Sequence, residues 1–504
     1  MHTLSISQRR GIMPLICVTF AGVILLFCFM RCAGAQPAHK SMETGPHKQR
    51  VIVLTDIGAE ADDTESMVRL LLYSDVIDIQ GLVATTSTWK RTSVSPELIA
   101  EVIRAYAEVR ENLVKHDPNY PLADDLQSVL KRGRAEYGMS GVGAEKDSEG
   151  SDLIIRELEK KDERPLWIVV RGGPNTLAQA LYKLHATKSQ AELDRLVGKL
   201  RVYTISDQDD SGQWMRKNFP QLFYIVSPGG DYGAATWTGI NTYIPGIDNT
   251  TISNKWLADN IQQGHGALGA AYPDVAYGME GDTPSWLSLI PNGLSDPEHP
   301  EWGGWGGRYE QYLPKIDVTD AKTFIRGVFI DGVPIEAETR PIWSNAIDSY
   351  APPVSGEYGQ ATRTSDKIFR DEKVTIWRWR DDFQNDFAAR MEWATKPYGA
   401  ANHPPVIVLD QPEAITVRSG EHFRLGAHAT DPDGDSVSFY WFQYPEAGSY
   451  KKTIPIAVAE NLSQIDLTAP KVDKAETAHF ILRVTDKGKP ALSRYKRIIV
   501  TITP

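Results

Sequence analysis

In residues 51–63, VIVLTDIGAEADD, an apolar run ends in four carboxylates within eight positions: Asp56, Glu60, Asp62 and Asp63. Like charges crowd this closely only where a cation or a raised pKa relieves them. Carboxylate oxygens suit hard divalent ions, so Ca²⁺ or Mg²⁺ is the expected partner. A solvated helix start is the competing explanation, because acids are favoured at helix N-termini. Two acids would fit it; four directly after a buried strand favour a site. Val51 to Leu54 has the length and β-branching of a buried parallel strand. The following DTESMVRLLL places Met67, Leu70 and Leu71 at helical spacing. The acids therefore occupy a strand-to-helix turn, at the strand end where open α/β sheets bind ligands.

The elements that would position this turn recur along the chain. IDIQGLVATTST, PLWIVVRGG, LRVYTIS and FPQLFYIVS read as strands, and NTLAQALYKL reads as a helix. Such alternation predicts a doubly wound, mostly parallel sheet. Residues 228–315 are rich in Gly, Pro and Trp with little periodicity, and long irregular segments in compact domains are usually functional. Residues 316–397 return to strand-like and helical patterns, VTIWRW at 374–379 among the former. AANHPP at 400–405 resembles a linker, and the short alternating strands from Val406 onward predict an all-β sandwich at 406–504. DPDGDS lacks the glycine and glutamate spacing of a calcium-binding EF-hand loop and is expected to be a turn.

Composition sets the partner classes. A net charge of -11 over 504 residues leaves no basic stripe for nucleic acid. Arg9 and Arg10 precede an apolar stretch from Ile12 to Met30, and Ala33-Gly34-Ala35 follows, the pattern of a signal peptide over 1–35. The stretch is nearly long enough to stay as an anchor, but cleavage and export to the periplasm or exterior are expected, with no stable membrane insertion. Cleavage would remove all three cysteines, Cys17, Cys28 and Cys32, and with them any disulfide or thiolate site. Residues 36–50 are polar and read as flexible.

LTDIGAEADD resembles the amino-terminal fingerprint of nucleoside hydrolases, and VVRGGPNTLAQAL is similar to that family's strand–Gly-Pro–helix segment. Over nearly the whole chain, TTSTW, AEKDSEGSDLI, ISDQDDSG, EGDTPSWL and WGGWGGRYE resemble exported proteins labelled "cellulose-binding protein". Those proteins carry a nucleoside hydrolase-like domain, here expected at 51–399, and a carboxy-terminal immunoglobulin-like sandwich. The resemblance implies a bound Ca²⁺. Asp56 would be both a ligand and the base that activates water on the ion. Asp63 would ligate, Asp62 would hold sugar hydroxyls, and Gly172 would offer a backbone carbonyl, a role in which a missing side chain matters little. Asp282 in MEGDTPSW would be the remaining ligand.

The chain also departs from the nucleoside hydrolase pattern. Glu60 and Ala61 form an insertion before the Asp pair, which makes Glu60 a candidate substrate contact. Gly281 stands where the best-known nucleoside hydrolases place a His that assists departure of the base, so nucleoside cleavage is disfavoured. Glu280 is the alternative proton donor if partly desolvated, or else a loop carboxylate paired with an Arg such as Arg308.

Asp207 follows a strand-like run and could bridge sugar hydroxyls. Glu149 could approach the sugar, with a capping box as its competing explanation. Trp214, Trp237, Trp286, Trp302 and Trp305 lie in or near the irregular region. Aromatic rings stack on sugar faces, so Trp302 or Trp305, the latter in a glycine-hinged GGWGG, is expected to touch a glycan. The leading expectation is an exported, calcium-dependent glycoside hydrolase acting with inversion on a carbohydrate. The alternatives are a non-catalytic carbohydrate (cellulose)-binding protein and a nucleoside hydrolase.

Overall fold

The computed structural model describes residues 48–228, 235–276, 278–315, 323–325, 328–330, 336–354, 363–364 and 367–504. The expected signal peptide and residues 36–47 lie outside them. Among the described residues no helix is long and apolar enough to cross a membrane.

The central sheet is built from β1 (Gln49–Thr55), β2 (Ile77–Ala84), β3 (Leu130–Arg132), β4 (Leu166–Val170), β5 (Leu200–Ser206) and β6 (Phe223–Ser227). Two later strands, Ile342–Asn345 and Tyr309–Tyr312, complete eight in the order β3-β2-β1-β4-β5-β6-(342–345)-(309–312). All pairings are parallel except the last. β1 shows why the sheet is central. Val51 and Val53 join the core on one face, while Ile52 and Leu54 join the core on the other. A two-residue period that is apolar in both phases is the mark of a strand covered on both sides. β1 begins at Gln49 rather than Val51, because Arg50 is buried and its guanidinium reaches Glu157 at 3.1 Å.

The chain runs outward from β1 to β2 and β3, then crosses to β4 and continues the other way. β1 and β4 therefore flank the point where the strand order reverses, the place where such sheets open a crevice at their carboxyl ends. After β1 the chain turns into helix α1 (Ala61–Leu71). Between β6 and Tyr309 the described residues form short helical turns of three to five residues each. VTIWRW, which reads as a strand, is instead helical at Val374–Trp377. All four of these residues are buried, so the apolar run answers to packing and not to a sheet face.

The carboxy-terminal part has one sheet of strands Val406–Leu409, His422–Thr430 and Gln464–Thr468. A second contains Ala414–Arg418, Ser493–Thr503, Glu476–Asp486 and Val437–Gln443. Both contribute to a single core around Trp441, Leu425, Phe480 and Val500. Residues 401–405 ahead of it are buried, with Asn402 donating to Asp486 at 3.1 Å and the His403 amide to Asp433 at 2.7 Å. The helix Arg380–Trp393 docks the two parts. Its Asp386 binds Arg494 at 2.8 Å, and its Asp382 accepts from Ser493 at 2.9 Å and from the Tyr495 hydroxyl.

Candidate metal centre

Asp56 follows the last residue of β1, and Asp62 and Asp63 occupy the first turn of α1. Arg171, Gly172 and Gly173 follow β4, the neighbour of β1. Asp282 arrives from the irregular region, just before the turn Pro284–Leu287. The fold thus brings together four acids that span more than two hundred positions. Asp62, Asp63 and Asp282 each offer an oxygen within 4.8 Å of the others, and all three are buried. This tight triplet contains Asp62, to which the resemblance gave sugar hydroxyls, in place of Asp56. Asp56 stands at its edge, close enough for its charge to act on Asp62, Asp63 and Asp282.

Gly172 matters for more than its carbonyl. A Cβ there would lie 2.8 Å from Asp56 Oδ1 and 2.9 Å from Asp56 Cβ. A missing side chain matters little for the carbonyl role expected of it, but an added one would crowd Asp56, so glycine is what lets β4's end approach. Gly281 is under the same constraint, since its Cβ would lie 2.8 Å from Asp62 Oδ2 and 2.7 Å from the Trp237 indole nitrogen. A His at 281 has no room.

Burial dominates the electrostatics. It raises the pKa of Asp56, with Asp63 adding to the effect; it raises Asp62, with Glu60 and Glu65 adding; and it raises Asp282, with Asp63 and Asp62 adding. Asp63 is pushed up to about 7, burial first and Asp62 second, against a hydrogen bond from Thr55. Glu60, more open, also reaches about 7 through partial burial and Asp56, so it belongs to the cluster.

Against these acids stands the buried guanidinium of Arg171, without a hydrogen-bond partner among the described residues. Asp62 Oδ2 and Asp282 Oδ2 are likewise buried and unpartnered. Buried polar atoms are nearly always satisfied, so a group of orphans calls for a ligand. Arg171, with Lys90 acting on Asp56, still leaves four carboxyls short of positive charge. Orphan oxygens on converging carboxylates, beside a glycine that lets the backbone approach Asp56, fit a hard divalent cation.

Other sequence-derived candidates fall elsewhere. Glu280 is fully buried and bonded to Arg69 at 2.8 Å, to Thr283 at 2.8 Å and to the Tyr272 hydroxyl at 3.0 Å. Its partner is Arg69 and not Arg308, which binds Asp348, and a carboxylate so committed has no oxygen to give a leaving group. Asp207 is fully buried and held by both terminal nitrogens of Arg216, at 2.9 and 2.8 Å, so it is an internal ion pair and not a sugar contact. Glu149 is exposed at the start of the helix Glu149–Glu159, where Ser148 and Ser151 form the capping box.

Trp305 is fully buried against Phe383 and Tyr495, which rules out a mobile platform. Trp302 stacks on His299 and lines a cleft of about 750 Å³ with Lys48 and Gln49. Those two residues stand at the amino end of β1, so Trp302 is at the wrong end of the sheet for the acids. A tryptophan beside the acids is Trp237, whose indole nitrogen borders Gly281 as Asp62 does. It and Arg171 were legible only as a ring among several and as a charge beside a glycine pair.

The reversal point of a doubly wound sheet, the acids after β1 and the Gly-Pro turn after β4 together define a nucleoside hydrolase-like α/β protein. The chain belongs to the family described as cellulose-binding Sde182, nucleoside hydrolase-like domain, which matches residues 50–309. The family's carboxy-terminal domain, described as that of cellulose-binding protein Sde0182, matches residues 422–502. A solved structure from Saccharophagus degradans is 34% identical, with a TM-score of 0.74 over 91% of this chain and 100% of that one. It is described as a nucleoside hydrolase-related hypothetical protein associated with carbohydrate metabolism. Fibronectin(III)-like modules of Clostridium thermocellum CbhA align over 20% of this chain and 47% of theirs, at 11% identity and a TM-score of 0.15. Among curated proteins none matches.

Proposed function

We propose that this protein is an exported carbohydrate-binding protein whose pocket is a calcium centre, formed by Asp62, Asp63 and Asp282 with Asp56 and the Gly172 carbonyl, and that it does not cleave its ligand. Calcium suits this donor set better than magnesium, since it accepts mixed carboxylate and carbonyl shells and loses water readily. When bound, the ion would take neighbouring sugar hydroxyls into its shell. The chain's own groups do the rest: Asp56 and Glu60 accept hydrogen bonds from hydroxyls, Arg171 donates to them, and Trp237 walls the site beside Gly281. The cellulose-binding description of the family supports a glucan ligand met outside the cell.

The observation that carries this reading is the commitment of Glu280 to Arg69. Breaking an O-glycosidic bond needs a proton on the leaving oxygen, and the residue best placed in sequence to give it is occupied. A second reading, inverting hydrolysis with Asp56 taking the proton of the attacking water, draws on Asp56's raised pKa, a property of bases that work near neutrality. Nucleoside cleavage has least support, because Gly281 leaves no space for the assisting His.

The test is retention on insoluble cellulose with calcium or with chelator, run beside reducing-end release from a panel of glycans. Calcium-dependent retention without release is the expected result. Release by the wild type that Asp56→Asn abolishes would replace the binding reading with the hydrolytic one.

A further inference from the structure

Asp282 lies on a loop with no strand to hold it, yet it must meet Asp62 and Asp63 to within a few tenths of an ångström if the three are to share an ion. α1 supplies both sides of that meeting. Its first turn carries Asp62 and Asp63, its middle carries Glu65, and its last turn carries Arg69. Glu65 accepts the backbone N–H of Glu280 at 2.7 Å. Arg69 Nη1 donates to Glu280 Oε2 at 2.8 Å, while its Nη2 donates to the Phe383 carbonyl at 3.2 Å and to Gln384. The guanidinium carbon lies 4.1 Å from the centre of the Phe387 ring. Arg69 and Glu280 are both wholly excluded from water.

Glu280 also has φ +50°, a left-handed conformation that a non-glycine residue holds only where its surroundings enforce it. Two peptide units on is Asp282.

We propose that the Arg69–Glu280 pair is a positioning device, fixing the Asp282 loop to the same helix that presents Asp62 and Asp63; this rests on the reading of the site as a cation centre. The strained residue is where the loop is gripped, and the grip is on α1 itself, so the separation of the acids is set by one rigid element. The Arg380–Trp393 helix, which receives the other side of Arg69, is in turn held by the β-sandwich through Asp382 and Asp386.

The test is calcium titration of the metal-stripped full chain by calorimetry, together with hydrogen exchange at residues 279–283. Glu280→Gln alone leaves Arg69 buried without a counter-charge and can fail to fold. The double variant Arg69→Met/Glu280→Gln removes both charges, and replacing a whole buried pair is often close to neutral for stability. Its melting temperature is expected to return near that of the wild type while calcium affinity stays at least about tenfold weaker and residues 279–283 exchange faster. Affinity recovering together with stability would mark the pair as ordinary packing and overturn the proposal. If the wild type binds no calcium, the cation reading fails separately. Exchange in the metal-free protein then decides: faster exchange at 279–283 in the double variant upholds the grip, and unchanged exchange overturns it.

Discussion

Two groups of buried acids stand at the ends of strands two places apart in the sheet, and they have opposite fates. After β5, Asp207 is sealed from water and answered by Arg216, which also holds Glu338. After β1 and across to Asp282, four acids share a single unbonded guanidinium, that of Arg171. Both groups began as acidic clusters at the carboxyl edge of the same sheet. Asp207 and Glu338 are answered within the protein, although Asp209 nearby keeps a buried, unpartnered Oδ2; beyond Arg171, the second group is balanced only by protons or by an ion. A carboxylate in a crevice therefore becomes a candidate ligand-binding group through its missing counter-charge.

Breaking the paired group should have the largest effect. Arg216→Met leaves Asp207 and Glu338 without their partner and is expected to cost about 3–5 kcal/mol in denaturant unfolding, with or without calcium. An equal gain of stability from calcium in this variant and the wild type would confirm that the two groups are independent. In the unpaired group, Asp63→Asn or Asp282→Asn should lower calcium affinity by more than about 100-fold by calorimetry. The chelated protein should melt no lower than the wild type, because one crowded charge is gone.

The pH response distinguishes the groups next. Asp63 and Glu60 titrate near 7 in the folded chain and near 4 when unfolded, so the folded state binds more protons between those values. Stability of the chelated protein should then fall as pH rises from about 4 to about 7, by a melting-temperature change on the order of 5 °C. Calcium should restore it above pH 7 and add little near pH 5. Opposite behaviour would mean that the acids are already balanced within the protein. Gly172→Ala, forcing a methyl against Asp56, should cost about 1–3 kcal/mol and weaken calcium binding. Trp302→Ala should leave cellulose retention unchanged, since Trp302 faces the amino end of the sheet.

The sequence alone determined the framework. A four-residue apolar run followed by acids and a helical pattern is local chemistry, and β1, its turn and α1 formed where that chemistry places them. The alternation of strands and helices was enough for a doubly wound sheet, and the change of pattern after 406 for a β-rich end. Tertiary structure alone decided which acids were free. Glu280 and Asp282 are two residues apart in one loop, yet one is bonded to Arg69 and the other shares the unbonded Arg171 with three more acids. Trp237 and Trp305 are equally aromatic, yet one walls the site and the other fills the core. Residue type sets what a group can do. Whether it is left to do it depends on which distant charge or ring the fold packs beside it, and local periodicity carries no record of that.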